Sequence, residues 1–244
     1  ANTTGAGNVA VGYLALDANT TGSYNTAVGQ DALSGNTTGT QNMGIGINAG
    51  LTITTGNYNT AIGPNTLRGT EVTGSHNVAL GLQALNVITS GVNNVSIGNY
   101  SSHKLTTASN NVALGYAALN DTTSGYNNVA IGRDALLENT TGADNVAVGA
   151  YALDANTTGS ENTAVGNDSL SLCTTGSHNT AIGHDALEQV STGSYNTALG
   201  RDAGRSITTG ASNICIGQNS NDAANTANVV AIGPFALSAN TADS

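Results

Sequence analysis

The sequence predicts an all-β chain, a parallel β-solenoid of about fourteen seventeen-residue coils. One unit recurs from end to end, its apolar positions alternate with a period of two, and glycines flank each alternating stretch. The clearest copy reads Thr20-Thr21-Gly22-Ser23-Tyr24-Asn25-Thr26-Ala27-Val28-Gly29-Gln30-Asp31-Ala32-Leu33. Seventeen residues are too few for a helix pair, whereas two strands of about five residues and two turns account for the length.

The glycine closing each Asn-Xaa-Ala-Val-Gly core sets the register, from Gly12 and Gly29 through Gly132 and Gly149 to Gly217 and Gly233. The step is seventeen residues, except eighteen into Gly81 and sixteen into Gly233, so the chain reads as one repeat domain over 1–244. Stacked about 4.8 Å apart, the coils would form a rod of roughly 65 to 70 Å. Each repeat position then becomes a column along that rod.

Five columns carry the expected architecture. Val28, Ile45, Ile62 and Leu80 begin an aliphatic ridge, and the Leu33 column faces it as the second half of the core. Asparagine opens almost every copy, and Asn25, Asn42, Asn59, Asn128, Asn145, Asn162, Asn179 and Asn196 are expected to bond side chain to side chain up the stack. Ala27, Gly44, Ala61, Ala130, Ala147, Ala164 and Ala181 alternate with the ridge, so they are expected on the opposite face. A surface of such small residues invites another backbone, and it is the expected association face of a parallel trimer. Glycines of the Thr-Gly pairs, such as Gly22 and Gly176, form the last column, at a corner.

Composition agrees with a thin, long core. The chain has 32 glycines, one phenylalanine, no tryptophan and two prolines. Only 8% of residues are charged, and 15 acids against 5 bases leave a net charge of -10, which opposes nucleic-acid binding. No apolar run approaches the roughly 18 residues of a membrane span, and no signal peptide is visible. With Met43 as its only methionine, the chain reads as processed or as an excerpt. Cys173 and Cys215 occupy different columns and read as semi-buried thiols, with no disulfide or zinc spacing.

The core motif resembles a known family. Asn128 to Gly132 (Asn-Val-Ala-Ile-Gly) and Asn145 to Gly149 (Asn-Val-Ala-Val-Gly) are similar to repeats in the head domains of trimeric autotransporter adhesins. Thr174 to Gly183, with its Thr-Thr-Gly corner, resembles shaft repeats of phage tail fibres. The resemblance implies a left-handed β-roll, three chains side by side, and an extracellular, cell-surface or virion location. The unit is longer than is typical of adhesin heads, and neither a coiled-coil stalk nor a membrane anchor is present, so secretion through an attached barrel is not supported.

Candidate chemistry is sparse. Asp168, Asp185 and Asp202 stack in consecutive coils, where calcium could relieve their repulsion, but the spacing is not that of calcium-binding rolls, and His184 and Arg201 offer relief within the chain. His184 and Asp185, as strand neighbours, are expected on opposite faces, which argues against a hydrolytic triad. No catalytic residue and no cofactor is assigned.

Threonine pairs at Thr20 and Thr21, Thr37 and Thr38, and Thr157 and Thr158 suggest an ice-binding array, but they flank a corner, are interrupted at Val72, Ser90 and Ala224, and suit turn chemistry. Sequons at Asn2, Asn19, Asn36, Asn139 and Asn156 permit glycan attachment. Tyr24, Tyr58, Tyr126 and Tyr195, with His76 and His178 in the same column, read as shields over a turn, with sugar stacking as the alternative.

The expected function is therefore structural, a fibre or filament segment of a surface appendage or tail fibre, self-associated as a homo-oligomer. An adhesin head gripping a surface glycan or host receptor is the alternative. Ala1 to Gly5 start in phase with the repeat and Ala239 to Ala242 begin a fifteenth copy, so head-to-tail polymerisation or continuation is also expected.

Overall fold

The computed structural model describes residues 2–221 and 225–238 and contains fourteen parallel strands, each three residues long. Ala1, Ala224 and the run Ala239 to Ala242, all included in the repeat phase, lie outside the described residues. The chain divides into two compact units, residues 1–126 and 127–244. The first holds β1 (Val9–Val11), β2 (Thr26–Val28), β3 (Met43–Ile45), β4 (Thr60–Ile62), β5 (Val78–Leu80), β6 (Val95–Ile97) and β7 (Val112–Leu114). The second holds β8 (Val129–Ile131), β9 (Val146–Val148), β10 (Thr163–Val165), β11 (Thr180–Ile182), β12 (Thr197–Leu199), β13 (Ile214–Ile216) and β14 (Val230–Ile232). Within each unit, strands consecutive in sequence pair in parallel, with equivalent repeat positions opposite one another. Ala10 meets Ala27 and Ala27 meets Gly44; Ala130 meets Ala147 and Ala164 meets Ala181. The all-β parallel solenoid is thus realised in both units.

Each coil has one short strand, where two were expected. The rest is a run of tight turns in which alternate residues adopt left-handed backbone, as at Asp31 (φ 54°) and Leu33 (φ 49°). Successive turns close through Ala32 N–H to Gly29 O at 3.3 Å and Asn36 N–H to Leu33 O at 3.1 Å. Other amides reach adjacent coils, as Leu33 N–H to Ala49 O at 3.0 Å and Gly35 N–H to Leu51 O at 2.8 Å. Backbone groups are therefore satisfied between coils without a second strand.

The inside and the outside of the strand are the reverse of the expectation. Ala27, Ala61, Ala130, Ala147, Ala164 and Ala181 are completely buried, and Gly44 is buried with them. The Val28 column lies partly exposed, with Leu80 at 40% and Leu199 at 47%. The small residues cannot be an association face, because they are the core. The buried Leu33, Leu67, Leu85, Leu136, Leu153 and Leu187 fill the section from across the coil, joined in some coils by a second apolar side chain such as Ile88 or Val190. At Gly44, a Cβ would stand 2.8 Å from Leu33 Cγ, so the leucine presses directly on the small column. A second row of buried alanines, including Ala32, Ala84, Ala135 and Ala186, completes the filling.

The asparagine column is buried, and it bonds backbone as well as side chains. Asn25 Oδ1 accepts the Asn42 backbone N–H at 2.9 Å, while Asn25 Nδ2 donates to Gly39 O at 2.8 Å. In the second unit, Asn162 accepts Asn179 N–H at 2.9 Å and donates to Gly176 O at 2.8 Å. Side-chain pairs add to this, as Asn179 Nδ2 to Asn162 Oδ1 at 3.1 Å.

The core-closing glycines hold a backbone conformation that L side chains rarely adopt. Gly132 has φ 136°, and a Cβ there would lie 2.4 Å from Gly149 O in the next coil. Gly132→Ala is expected to lower stability by about 2–4 kcal/mol, measured by urea unfolding.

Candidate association face

Because alanine and leucine fill the coil, the other two residues of each strand point outward. One column runs Val9, Thr26, Met43, Thr60, Val78, Val95, Val112 in the first unit and Val129, Val146, Thr163, Thr180, Thr197, Ile214, Val230 in the second. Its neighbour runs Val11, Val28, Ile45, Ile62, Leu80, Ile97, Leu114 and then Ile131, Val148, Val165, Ile182, Leu199, Ile216, Ile232. No charged residue occupies either column, although the chain carries a net charge of -10. Each unit thus presents a strip of β-branched and aliphatic side chains at regular coil spacing, half-buried by its own neighbours and open on top. The sequence pattern located the two faces correctly and assigned them the wrong way round.

The charged groups lie in the turns. His184 Nδ1 is 2.9 Å from Asp185 Oδ2, a contact that strand geometry would forbid and that the turn allows. Arg201 Nε lies 3.1 Å from Asp202, and Arg205 reaches Glu188, Asp202 and, at 4.0 Å, Asp185. Asp168 is held above the usual carboxylate range by burial and by the charge of Asp185. Among the described residues no group of three or more His, Cys, Asp or Glu side chains is placed to hold a metal ion, so Asp168, Asp185 and Asp202 are not gathered into a calcium site.

Other sequence features find structural uses. The Tyr24 column is exposed and stacks between coils, with Tyr58 over His76 and His178 against Tyr195 at ring distances of 4.7 Å; Asn127 holds this position in its coil, and Tyr126, expected there, lies one residue earlier. Glu161 lies 3.2 Å from His178 in the same column. Threonine hydroxyls at the corner bond the next coil, as Thr20 Oγ1 to Thr37 O at 3.0 Å and Thr157 Oγ1 to Thr174 O at 3.0 Å. Cys173 and Cys215 are buried and unpaired, and burial pushes the Cys173 thiol up to about 11.

A second asparagine column was not foreseen, although its period is visible in the sequons. Asn36 Nδ2 donates to Asn19 Oδ1 at 2.8 Å, and Asn19 Nδ2 to Asn2 Oδ1 at 2.9 Å; Asn156 Nδ2 donates to Asn139 Oδ1 at 2.8 Å. Asn19, Asn36, Asn139 and Asn156 are completely buried, so a glycan on their amides is incompatible with the folded coil, and of these five corner sequons only Asn2 is exposed; Asn94, Asn99, Asn120 and Asn167 also head sequons, of which Asn99 is exposed. The chain matches no known protein family and no curated protein.

Asp154, beside the acidic turns, has its carboxyl raised to about 6, chiefly by burial and further by the charges of Asp168 and Glu138. Its Oδ1 is buried without a hydrogen-bond partner among the described residues. The native state therefore holds this proton more tightly than the unfolded chain. The side chain costs nothing below about pH 4, and stability falls as pH rises towards 6. Asp154→Asn is expected to raise stability at pH 7 by about 1–2 kcal/mol, discounted for partial exposure, and to leave it unchanged at pH 4, as thermal unfolding at the two pH values will show.

Proposed function

We propose that the chain is a structural segment of a fibre or filament, assembled laterally from copies of itself through the outward strand face and displayed outside the cell or on a virion. The observation that carries this reading is the absence of charge from every outward strand position of a strongly acidic chain. Random placement of the 20 charged residues would put about two of them on this face, whereas burial against a neighbour excludes them all. The strip repeats at the coil spacing, so a surface with the same period meets it side chain for side chain, and a second copy of this chain has that period. Three copies and an external location are what the resemblance to adhesin heads and fibre shafts supplies. Acidic turns flank the strip and oppose assembly at low salt, which favours specific register over loose aggregation.

Sedimentation equilibrium tests the reading. The wild-type chain is expected as a closed oligomer, and Ile97→Glu or Ile131→Glu is expected to release the 24.1 kDa monomer while leaving its circular dichroism unchanged. A wild-type chain that stays monomeric well above micromolar concentration, or charged variants that assemble as tightly, would contradict it.

A further inference from the structure

The one lengthened repeat creates a feature that the regular coils lack. In the eighteen-residue step between Gly63 and Gly81, Val72 keeps the inward column by bridging to Ile53. The preceding residues absorb the insertion. Gly69 is pinned, its carbonyl accepting Thr52 Oγ1 at 2.7 Å, and a Cβ there would collide with Ile88 O. Arg68 and Thr70 stand exposed on either side of it. With Leu51 and Thr52 of the preceding coil and Asn86 and Val87 of the following one, they border an open cleft of about 400 Å³.

The charge in this cleft is anomalous for the chain. Four of the five bases lie within ion-pair distance of a carboxylate: Lys104 of Asp121, Arg133 of Asp134, Arg201 of Asp202 and Arg205 of Glu188. Arg68 has no such partner among the described residues, despite 15 acids in the chain. Its Nη1 donates to the neutral Asn65 Oδ1 at 3.1 Å, which holds the arm and leaves the rest of the guanidinium fork open. The side chains of Thr70 and Asn86 likewise make no hydrogen bond to the described residues. An unpaired guanidinium, an open hydroxyl and an open amide converge on one concavity whose apolar surface comes from Leu51 and Val87.

We propose that this cleft binds a hydroxylated carboxylate of the sugar-acid class. The carboxylate pairs with Arg68, ring hydroxyls exchange hydrogen bonds with Thr70 and Asn86, and the apolar ring face rests on Leu51 and Val87. The volume suits one monosaccharide. Its residues lie outside the strand columns proposed for lateral assembly.

Calorimetric titration of the full chain with glucuronate, glucose and acetate tests the site, repeated with Arg68→Gln. Glucuronate is expected to bind saturably and more weakly as salt rises, with glucose and acetate each at least about tenfold weaker. Arg68→Gln is expected to lose at least about tenfold in glucuronate affinity with unchanged thermal unfolding. No saturable glucuronate binding, equal binding of glucose or acetate, or unimpaired binding by Arg68→Gln would overturn the proposal. The oligomeric state of the same samples reads the assembly separately.

Discussion

The buried asparagine column is the interaction on which the rest of the architecture depends. A three-residue strand supplies too few hydrogen bonds to fix the register of one coil on the next. Each asparagine adds a clamp at the strand entrance, its oxygen on the next asparagine's backbone amide and its nitrogen on a corner glycine's carbonyl, as Asn25 does with Asn42 and Gly39. The clamp joins strand, corner and neighbouring coil at once. It demands that equivalent positions meet from coil to coil, so a length change must be absorbed elsewhere in the repeat: Asn59 Oδ1 still accepts Asn77 N–H at 3.0 Å across the eighteen-residue step.

Once the register is fixed, the width of the coil decides what lies inside. The sequence made the period, the parallel stacking, the asparagine column and the corners legible, because these depend on spacing alone. It did not reveal which strand face is interior. Alternation at Thr26-Ala27-Val28 is symmetric with respect to inside and outside, and the usual rule that larger apolar residues are buried points the wrong way when a leucine from across the coil already fills the section. Only the packing of Leu33 against Ala27, Gly44 and their equivalents resolves it. The single strand per coil was hidden for a related reason. Leu33 carries no sequence mark of the left-handed conformation it adopts, although the Asp31 column, with Asn48, Asn65, Asp134 and Asp168, is built from residues that tolerate it.

Reversal of the faces also changes how the composition reads. An outward strip of valine, isoleucine and threonine is costly to leave in water and poorly explained by the stability of an isolated coil. The lateral assembly proposed for this face would account for it, and for the confinement of charge to the turns. Variation elsewhere follows from what each column must do. Core and clamp positions scarcely change, the Tyr24 column accepts anything that can stack or bond its neighbour, and the single inserted residue leaves the core intact by displacing the Arg68 corner outward.

The clamp is tested most directly by urea unfolding of Asn162→Ala. Loss of this side chain strands the Asn179 backbone N–H and the Gly176 carbonyl inside the coil. The account predicts a loss of at least about 2 kcal/mol, with hydrogen exchange accelerated first at Asn179. Stability within about 0.5 kcal/mol of wild type, with Asn179 still protected, would mean that strand pairing and leucine packing hold the register without the asparagines.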